Sequence, residues 1–165
     1  MSDPTSVIDR YAEGGPLLQY ATAGFPSEQE ATRVEPGLWS LSELVAHLLD
    51  ADLVLADRMK RVIAEKDPVL LAFDENAWIE RLDSRSMPIE EAAALFAANR
   101  RWMTRILHNC AEADFARTGQ HSEAGRMTLA ELVAKTISHL DHHLTFLYAK
   151  RAALGSAVLP RYTAR

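Results

Sequence analysis

The sequence contains a single cysteine, Cys110, and no long uninterrupted apolar segment. One cysteine excludes an internal disulfide. No apolar run approaches the roughly 20 residues that a membrane-spanning helix needs, which predicts no membrane partner. The first five residues lack the charged and then apolar pattern of a secretory signal. Together these absences predict a cytoplasmic location.

An excess of basic residues is also lacking. The chain has 18 lysines and arginines against 23 aspartates and glutamates, with a net charge of −5. Its longest basic cluster, Arg100-Arg101 with Arg105 one turn further, is typical of a solvated helix face. Without a basic block there is no electrostatic reason to bind a phosphate backbone, so we expect no nucleic-acid partner. A phosphate-binding loop, a G-x-S-x-G elbow and a C-x-x-C pair are absent too.

The apolar pattern indicates helices. The chain has 165 residues, 48% of them hydrophobic, which predicts one domain spanning residues 1–165. Helical segments cover roughly residues 5–23, 40–65, 88–110 and the region after 128, and Gly14-Gly15-Pro16 predicts a kink or two pieces in the first. No segment alternates with period two for long enough to predict a strand. The prediction is an all-α four-helix bundle with a loose tail at residues 155–165, although this tail could order across a partner.

Two helix starts carry a clear local signal. Ser40 with Glu43, and Thr128 with Glu131, have the spacing of a capping box. The connection between the second and third helices, residues 67–86, is long and contains a short helix that we expect Asp74 to cap. Residues 111–126 form a second long connection. Connections of this length in a compact bundle often cover a site.

Three inward-facing histidines suggest a metal site. His139 and His143 are four residues apart, so a helix places their imidazoles one above the other, and both lie on the predicted apolar face. His47 occupies an inward position on the second helix, near Leu44 and Leu48. If the second and fourth helices are neighbours, the three imidazoles converge and leave open coordination positions, as in a catalytic zinc-type site. Nickel or iron is also chemically possible.

The sequence is compatible with several alternatives. The three histidines could instead be core residues that hydrogen-bond to carbonyl groups. His142 could replace His143 through i, i+3 spacing, and His121 could swing from its loop into the pocket.

Four further residues are weaker candidates for the site. Asp50 is one turn from His47 and could orient its imidazole or move a proton, a role that His142 could also fill. Asn76 and Trp78 could line the pocket from the 67–86 connection. Solvated carboxylates and a packing tryptophan are the alternative interpretations.

The sequence resembles the DinB/YfiT-like family. The resemblance rests on residues 36–40 (Pro-Gly-Leu-Trp-Ser) leading into 45–48 (Val-Ala-His-Leu), on 73–78 (Phe-Asp-Glu-Asn-Ala-Trp), and on 125–129 followed by 138–143 (Ser-His-Leu-Asp-His-His). It covers about residues 5–155. It implies a DinB/YfiT-like four-helix bundle with nickel or zinc on His47, His139 and His143, and often a homodimer.

Two functions follow from this resemblance as expectations. The first is a metal-dependent enzyme acting on small molecules, either a hydrolase or a transferase that uses a low-molecular-weight thiol as cosubstrate. In that case the metal activates water or thiol in its open position. The alternative is a non-catalytic, dimeric metal-binding bundle that serves as a stress-response or binding module. An exchangeable ligand on the metal distinguishes the two.

Overall fold

Four long helices form the protein. The structure is a computed structural model that describes residues 4–163. The long helices are α1 (Pro4–Thr22), α2 (Leu41–Ala64), α4 (Ile89–His108) and α5 (Leu129–Ala153). The remaining elements in this part of the chain are a short helix, α3 (Glu75–Arg81), three 3₁₀ helices and three strands, β1 (Val69–Leu70), β2 (Thr118–His121) and β3 (Gly125–Thr128). The predicted all-α four-helix bundle is confirmed, with a small sheet added.

The helices pack in the order α1, α4, α2, α5 around the bundle. Helix α1 contacts α4 and α5, and α2 contacts the same two helices. The two helices that carry the candidate histidines, α2 and α5, are therefore neighbours. Among the described residues, no helix is long and apolar enough to cross a membrane.

Both predicted capping boxes form. The Ser40 hydroxyl accepts from the Glu43 backbone N–H at 3.3 Å, and the Glu43 carboxylate accepts from the Ser40 N–H at 2.7 Å. Thr128 and Glu131 repeat this arrangement at the start of α5. Each box satisfies backbone donors that a helix start would otherwise leave without partners. The two boxes fix where α2 and α5 begin, and so they fix which face each histidine occupies.

Helix α1 runs without interruption through Gly14-Gly15-Pro16, so the two-piece alternative is wrong. The glycines serve helix packing. A Cβ on Gly15 would lie 3.2 Å from the Ala97 Cα of α4, and a Cβ on Gly14 would lie 2.8 Å from the Arg100 guanidinium. Because the backbones of α1 and α4 approach so closely, no larger residue fits there without a shift.

The small sheet was not predicted from the sequence. Strand β1 pairs in parallel with β2, and β2 pairs antiparallel with β3. The strands have two to four residues, too few for period-two alternation to be recognised. The parallel pair joins segments that are about fifty residues apart in sequence, which no local pattern encodes. The sheet ties the two long connections together beside α2.

The tail lies against the bundle over residues 155–163, so the prediction of a loose tail is wrong there. The Tyr20 hydroxyl donates to the Leu159 carbonyl at 3.0 Å, and the Tyr148 hydroxyl donates to the Arg161 carbonyl at 3.0 Å. Thr163 is buried and bonds to the Asp141 carboxylate through its backbone N–H and its hydroxyl. Scattered single contacts of this kind leave no periodic pattern in the sequence. The last two tail residues lie outside the described part of the chain.

A buried polar cluster crosses the bundle between two apolar clusters. Arg100 of α4 donates to the Asp52 carboxylate of α2 at 2.5 Å, and to the backbone carbonyls of Tyr11 in α1 and Thr136 in α5. Asn99 adds a donor to Asp52 at 2.7 Å. A single guanidinium therefore contacts all four long helices, close to the level of the candidate histidines.

Candidate metal centre

Three imidazoles converge between α2 and α5. His47 lies in the second turn of α2 and is 1% exposed, while His139 and His143 are partly buried and one turn apart on α5. The Nε2 atom of His47 is 3.1 Å from Nε2 of His139 and 3.2 Å from Nε2 of His143. The three rings meet edge to face, with interplanar angles of 61° to 68°. All three rings thus direct the same nitrogen to one point.

This donor set fits a single divalent ion. Imidazole nitrogens that bind one zinc-like ion at about 2.0–2.1 Å are separated from one another by roughly 3.0–3.4 Å. The two Nε2 separations at His47 match that range. Hydrogen bonds among the three rings explain these separations less well. One N–H on the His47 Nε2 can donate to only one of its two neighbouring Nε2 atoms. Neutral imidazole also suits zinc, nickel, copper and iron.

Burial keeps the three rings neutral. Burial is the main cause that lowers the pKa of His139 to about 3 and that of His143 to about 4, and the neighbouring histidines lower both further. Burial also lowers the pKa of His47, which Glu75 partly offsets. Near neutral pH all three rings therefore carry a free lone pair, the form that binds a metal ion. Nδ1 of His143 is buried without a hydrogen-bond partner among the described residues.

We expect the metal-free protein to lose stability as the pH falls from 7 to 5. An unfolded histidine takes up a proton near its ordinary pKa of 6.5, whereas folded His139 and His143 stay neutral until about pH 3 and 4. The unfolded state then binds more protons, so the free energy of unfolding decreases as the pH falls. Urea unfolding midpoints at pH 7 and pH 5 measure this effect above the range in which exposed carboxylates titrate.

The matched comparison is the His139→Gln/His143→Gln variant, whose midpoint should change less between the two pH values. If the urea midpoint changes equally in both proteins between pH 7 and pH 5, other groups control the pH dependence.

Glu75 is the acidic residue that faces this cluster. Its Oε2 atom lies 4.0 Å from Nε2 of His47, and its side chain is half exposed. Asp74 caps α3 by accepting from the Ala77 N–H at 3.0 Å, which places Glu75 at the first helical position. Sequence reasoning missed Glu75, although the predicted Asp74 cap lies directly beside it. The carboxylate is near enough to exchange a proton with a small molecule bound at the three nitrogens.

The other site candidates lie outside the group of three converging histidines. His142 is exposed, and its ring packs on those of His143 and Phe146, at centroid distances of 5.1 and 4.9 Å. The observed geometry therefore favours the i, i+4 pair over the i, i+3 pair. Asp50 is half-buried, and burial raises its pKa. No hydrogen bond joins Asp50 to His47 among residues 6–163, because Asp50 lies off the inward stripe of α2.

Two aromatic side chains line the surroundings of the site. The Trp39 ring lies 5.0 Å from the His47 ring and covers it on the side of the α2 start. Trp78 packs against Phe73 at 4.8 Å. The predicted pocket role of Trp78 is thus compatible with its place in the structure. Asn76 is exposed and lines none of the cavities described below.

Two cavities lie near the histidine cluster and share part of their lining. The smaller, here called the chamber, has a volume of about 140 Å³ and is lined by His139, Glu75, His121, Arg58, Phe73 and Lys135, among others. The larger, here called the groove, has a volume of about 800 Å³ and is lined largely by Leu53, Val54, Val69, Leu71, Phe73 and Trp78. Arg58, Ala72 and Phe73 border both. The groove has the size of a small-molecule pocket.

His121 is a buried residue of the chamber and not a mobile loop residue. Strand β2 carries it, and it is 6% exposed. Its Nδ1 accepts from the backbone N–H groups of Glu123 and Ala124 at 3.2 and 3.1 Å, which assigns the ring proton to Nε2. His121 is therefore a hydrogen-bond donor in the chamber, separate from the three converging nitrogens.

The fold and the three converging nitrogens define a class of helical bundles with a histidine site between two helices. Comparison with known proteins identifies the family. The family model of the DinB superfamily matches residues 11–147. The chain belongs to the DinB superfamily.

Similar sequences carry related names. A protein of Geobacillus thermodenitrificans is 34% identical over 140 residues, which cover 84% of this chain and 78% of the relative. A protein of Oceanobacillus iheyensis is 30% identical over 132 residues, covering 79% of this chain and 76% of the relative. Both are provisionally named metal-dependent hydrolases.

A similar fold is known from a solved structure. YfiT from Bacillus subtilis, described as a probable metal-dependent hydrolase with an unusual four-helix bundle topology, superposes with a TM-score of 0.85. The two chains share 23% sequence identity, and the match covers 94% of this chain and 89% of YfiT. The predicted DinB/YfiT-like fold is confirmed by this match.

Proposed function

We propose that this protein is a metal-dependent enzyme in which His47, His139 and His143 hold one divalent ion through their Nε2 atoms. The convergence of these atoms at 3.1 and 3.2 Å carries the proposal. Three neutral imidazoles favour nickel or zinc. In such a site the ion supplies Lewis-acid chemistry, which lowers the pKa of a water or thiol molecule held in a remaining coordination position.

The reaction that we propose is hydrolysis of a small molecule. The names of the relatives support this class, and the groove beside the site offers the volume for a substrate. A transferase that uses a low-molecular-weight thiol is the alternative from the same donor set, since a thiol can take the place of water as nucleophile. The two reactions require the same three histidines and differ in the second reactant.

Glu75 is the residue to which we assign proton transfer. Its Oε2 lies near Nε2 of His47, so a nucleophile held at the three nitrogens lies within reach of this carboxylate. His47 is buried and burial lowers its pKa, and neither His142 nor Asp50 lines the chamber that contains Glu75 and His139. Glu75 accepts the proton of the attacking water or thiol and returns it to the leaving group. The carboxylate is then unprotonated again and ready for the next turnover.

The decisive experiment is an activity screen on chelator-treated protein, before and after reconstitution with Ni²⁺ or Zn²⁺. The panel contains small esters and amides for hydrolysis, and thiols with electrophiles for transfer. We expect turnover only after reconstitution. Turnover of esters or amides without thiol supports the hydrolase, and strict thiol dependence supports the transferase. Stoichiometric metal with no exchangeable ligand on it would instead support the non-catalytic metal-binding bundle.

Replacing Glu75 by glutamine should lower kcat by about 100-fold or more, the usual contribution of a positioned acid–base group. The amide keeps the size of the side chain but cannot accept the proton. Metal content should stay unchanged, because Glu75 is absent from the proposed ligand set. Steady-state kinetics on the reconstituted protein measure this effect.

The control for this experiment is Glu80→Gln, an exposed change on the same short helix. It should leave kcat unchanged. Equal losses in the two variants would indicate a general effect of α3 and contradict the proton-transfer role.

A further inference from the structure

Arg58 is a buried cation whose hydrogen-bonding capacity is only partly used. The residue is 6% exposed, and its Nη2 donates to the Leu71 carbonyl at 2.5 Å. Its Nε has no hydrogen-bond partner, and among the described residues the guanidinium forms no ion pair. A buried charge without an ion partner is costly unless something else compensates it.

The other buried arginines have more hydrogen-bond acceptors than Arg58. Arg100 has the Asp52 carboxylate and two backbone carbonyls as acceptors. Arg151 donates to the carbonyls of Ala21, Ala23 and Ser156. Neither has a buried nitrogen without a partner among the described residues. Arg58 therefore differs from both, and the difference indicates an acceptor that comes from a ligand.

Arg58 also has a special location, because it borders both the groove and the chamber. A ligand group at its guanidinium lies between the apolar walls of the groove and the chamber side that contains His139 and Glu75. Leu53, Val69 and Leu71 are 47%, 60% and 70% exposed in the groove, an unusual exposure for large apolar side chains. The apolar wall of the groove and the Arg58 guanidinium together fit a molecule with an apolar body and one charged end.

The nearby charges favour an anion on the groove side of Arg58. Asp57, on the groove wall, is already paired with Arg61 at 2.7 Å. Glu75 and Glu123 line the chamber, where they repel a second negative group, while Lys135 lines it as a cation. Asp50 also lines the groove, and burial raises its pKa. The Arg58 guanidinium is thus the cationic group that lines both cavities, whereas Arg61 lines the groove alone and Lys135 the chamber alone.

We propose that Arg58 binds the carboxylate of a small-molecule ligand whose apolar body lies in the groove. A carboxylate matches the planar donor pattern of a guanidinium and supplies the acceptor that Nε lacks. This site determines which molecules are presented to Glu75 and the three histidines. As a substrate site it rests on the proposed function, whereas the binding itself requires no metal.

The test compares hexanoate with hexanamide, two probes of the same length that differ in charge. Binding to the chelator-treated full-length protein is measured by isothermal titration calorimetry, so that no probe can bind a metal ion. We expect hexanoate to bind at least about tenfold more tightly than hexanamide, as for a hydrogen bond to a charged group. Arg58→Met should abolish this preference and leave the affinity for hexanamide nearly unchanged.

Two further variants separate recognition from folding. Arg58→Lys keeps the positive charge but lacks the guanidinium fork, so the preference for hexanoate should decrease without disappearing. Arg117→Met is the control, because Arg117 is an exposed arginine that donates to the backbone carbonyls of Val62 and Glu65 and borders neither cavity. It should retain the full preference.

The possible outcomes distinguish a failure of the carboxylate site from a failure of the proposed metalloenzyme function. If Arg58→Met or Arg58→Lys keeps the full preference, or if the unmodified protein shows none, the carboxylate site is refuted. Tighter Arg58-dependent binding of hexyl phosphate than of hexanoate would refute the assignment to a carboxylate. If the preference depends on Arg58 but the protein binds no metal, the metalloenzyme proposal fails and the anion site stands.

Discussion

Replacing Asp52 by alanine should lower the free energy of unfolding by about 3–5 kcal/mol, the usual cost of leaving a buried charge without its partner. Asp52 is 2% exposed and Arg100 is 1% exposed, and they are joined at 2.5 Å. Without the carboxylate, the guanidinium keeps its carbonyl acceptors and its stacking on the Tyr11 and Phe96 rings, but it has no counter-charge. Urea unfolding of the metal-free protein measures the loss.

A double variant tests the physical reason. Asp52→Leu/Arg100→Met removes both charges and should be less destabilised than the sum of the two single variants, because no unpaired ion remains. The exposed Asp57–Arg61 pair is the control, since Asp57→Ala should leave the unfolding free energy nearly unchanged. Two results would contradict this explanation: a loss of unfolding free energy in the double variant equal to the sum of the two single losses, or a small loss in Asp52→Ala.

This prediction bears on the site because Arg100 connects the helices that carry it. Asp52 lies five residues after His47 on α2, and the Thr136 carbonyl lies three residues before His139 on α5. A guanidinium that bonds to both fixes the relative position of the two helices near the three nitrogens. We therefore expect Asp52→Ala also to weaken metal binding, although it changes no proposed ligand.

Replacing His47 by alanine should lower the metal affinity by more than about 100-fold, since loss of an outer-shell partner alone costs 10- to 100-fold. His47 supplies the one proposed ligand from α2, and its Nε2 lies 3.1 and 3.2 Å from the Nε2 atoms of His139 and His143. Without it, two nitrogens on one helix remain. A competition titration with a chromophoric chelator measures the affinity. The metal-induced increase in Tm should disappear in parallel.

His142→Ala is the matched control for that change. His142 is adjacent in sequence to His143 and belongs to the same histidine-rich turn, but its side chain is exposed and outside the converging set. The metal affinity of this variant should differ from that of the unmodified protein by no more than a few-fold. A comparable loss in both variants would show that the histidine-rich turn binds metal as a loose cluster.

Local sequence patterns predicted the parts of this structure that depend on neighbouring residues. The capping boxes at Ser40 and Thr128 follow from side chains three residues apart, and both form. The i, i+4 spacing of His139 and His143 predicted that their rings share a face. The resemblance to known proteins supplied the bundle type. That these rings hold a metal stays a prediction, as do the homodimer, the absence of a nucleic-acid partner and the cytoplasmic location.

The parts that were missed depend on distant contacts. Glu75 approaches His47 because the 67–86 connection folds back over α2, and no periodic pattern encodes that path. His121 is buried because β2 pairs with β1 across about fifty residues of sequence. Arg58 looks like an ordinary cation in a helix until its surroundings are known. These three residues surround the chamber, so the chemistry beyond the histidines could not be derived from the sequence.

The most direct test of the central claim is the metal content of the purified protein, prepared without an affinity-tag histidine tract. Elemental analysis is performed after reconstitution with Ni²⁺ or Zn²⁺ and removal of excess ions. The account predicts about one metal ion per chain, as expected for a single three-histidine site. Clearly substoichiometric metal after reconstitution would contradict it, and the three histidines would then be core residues of a bundle without a metal centre.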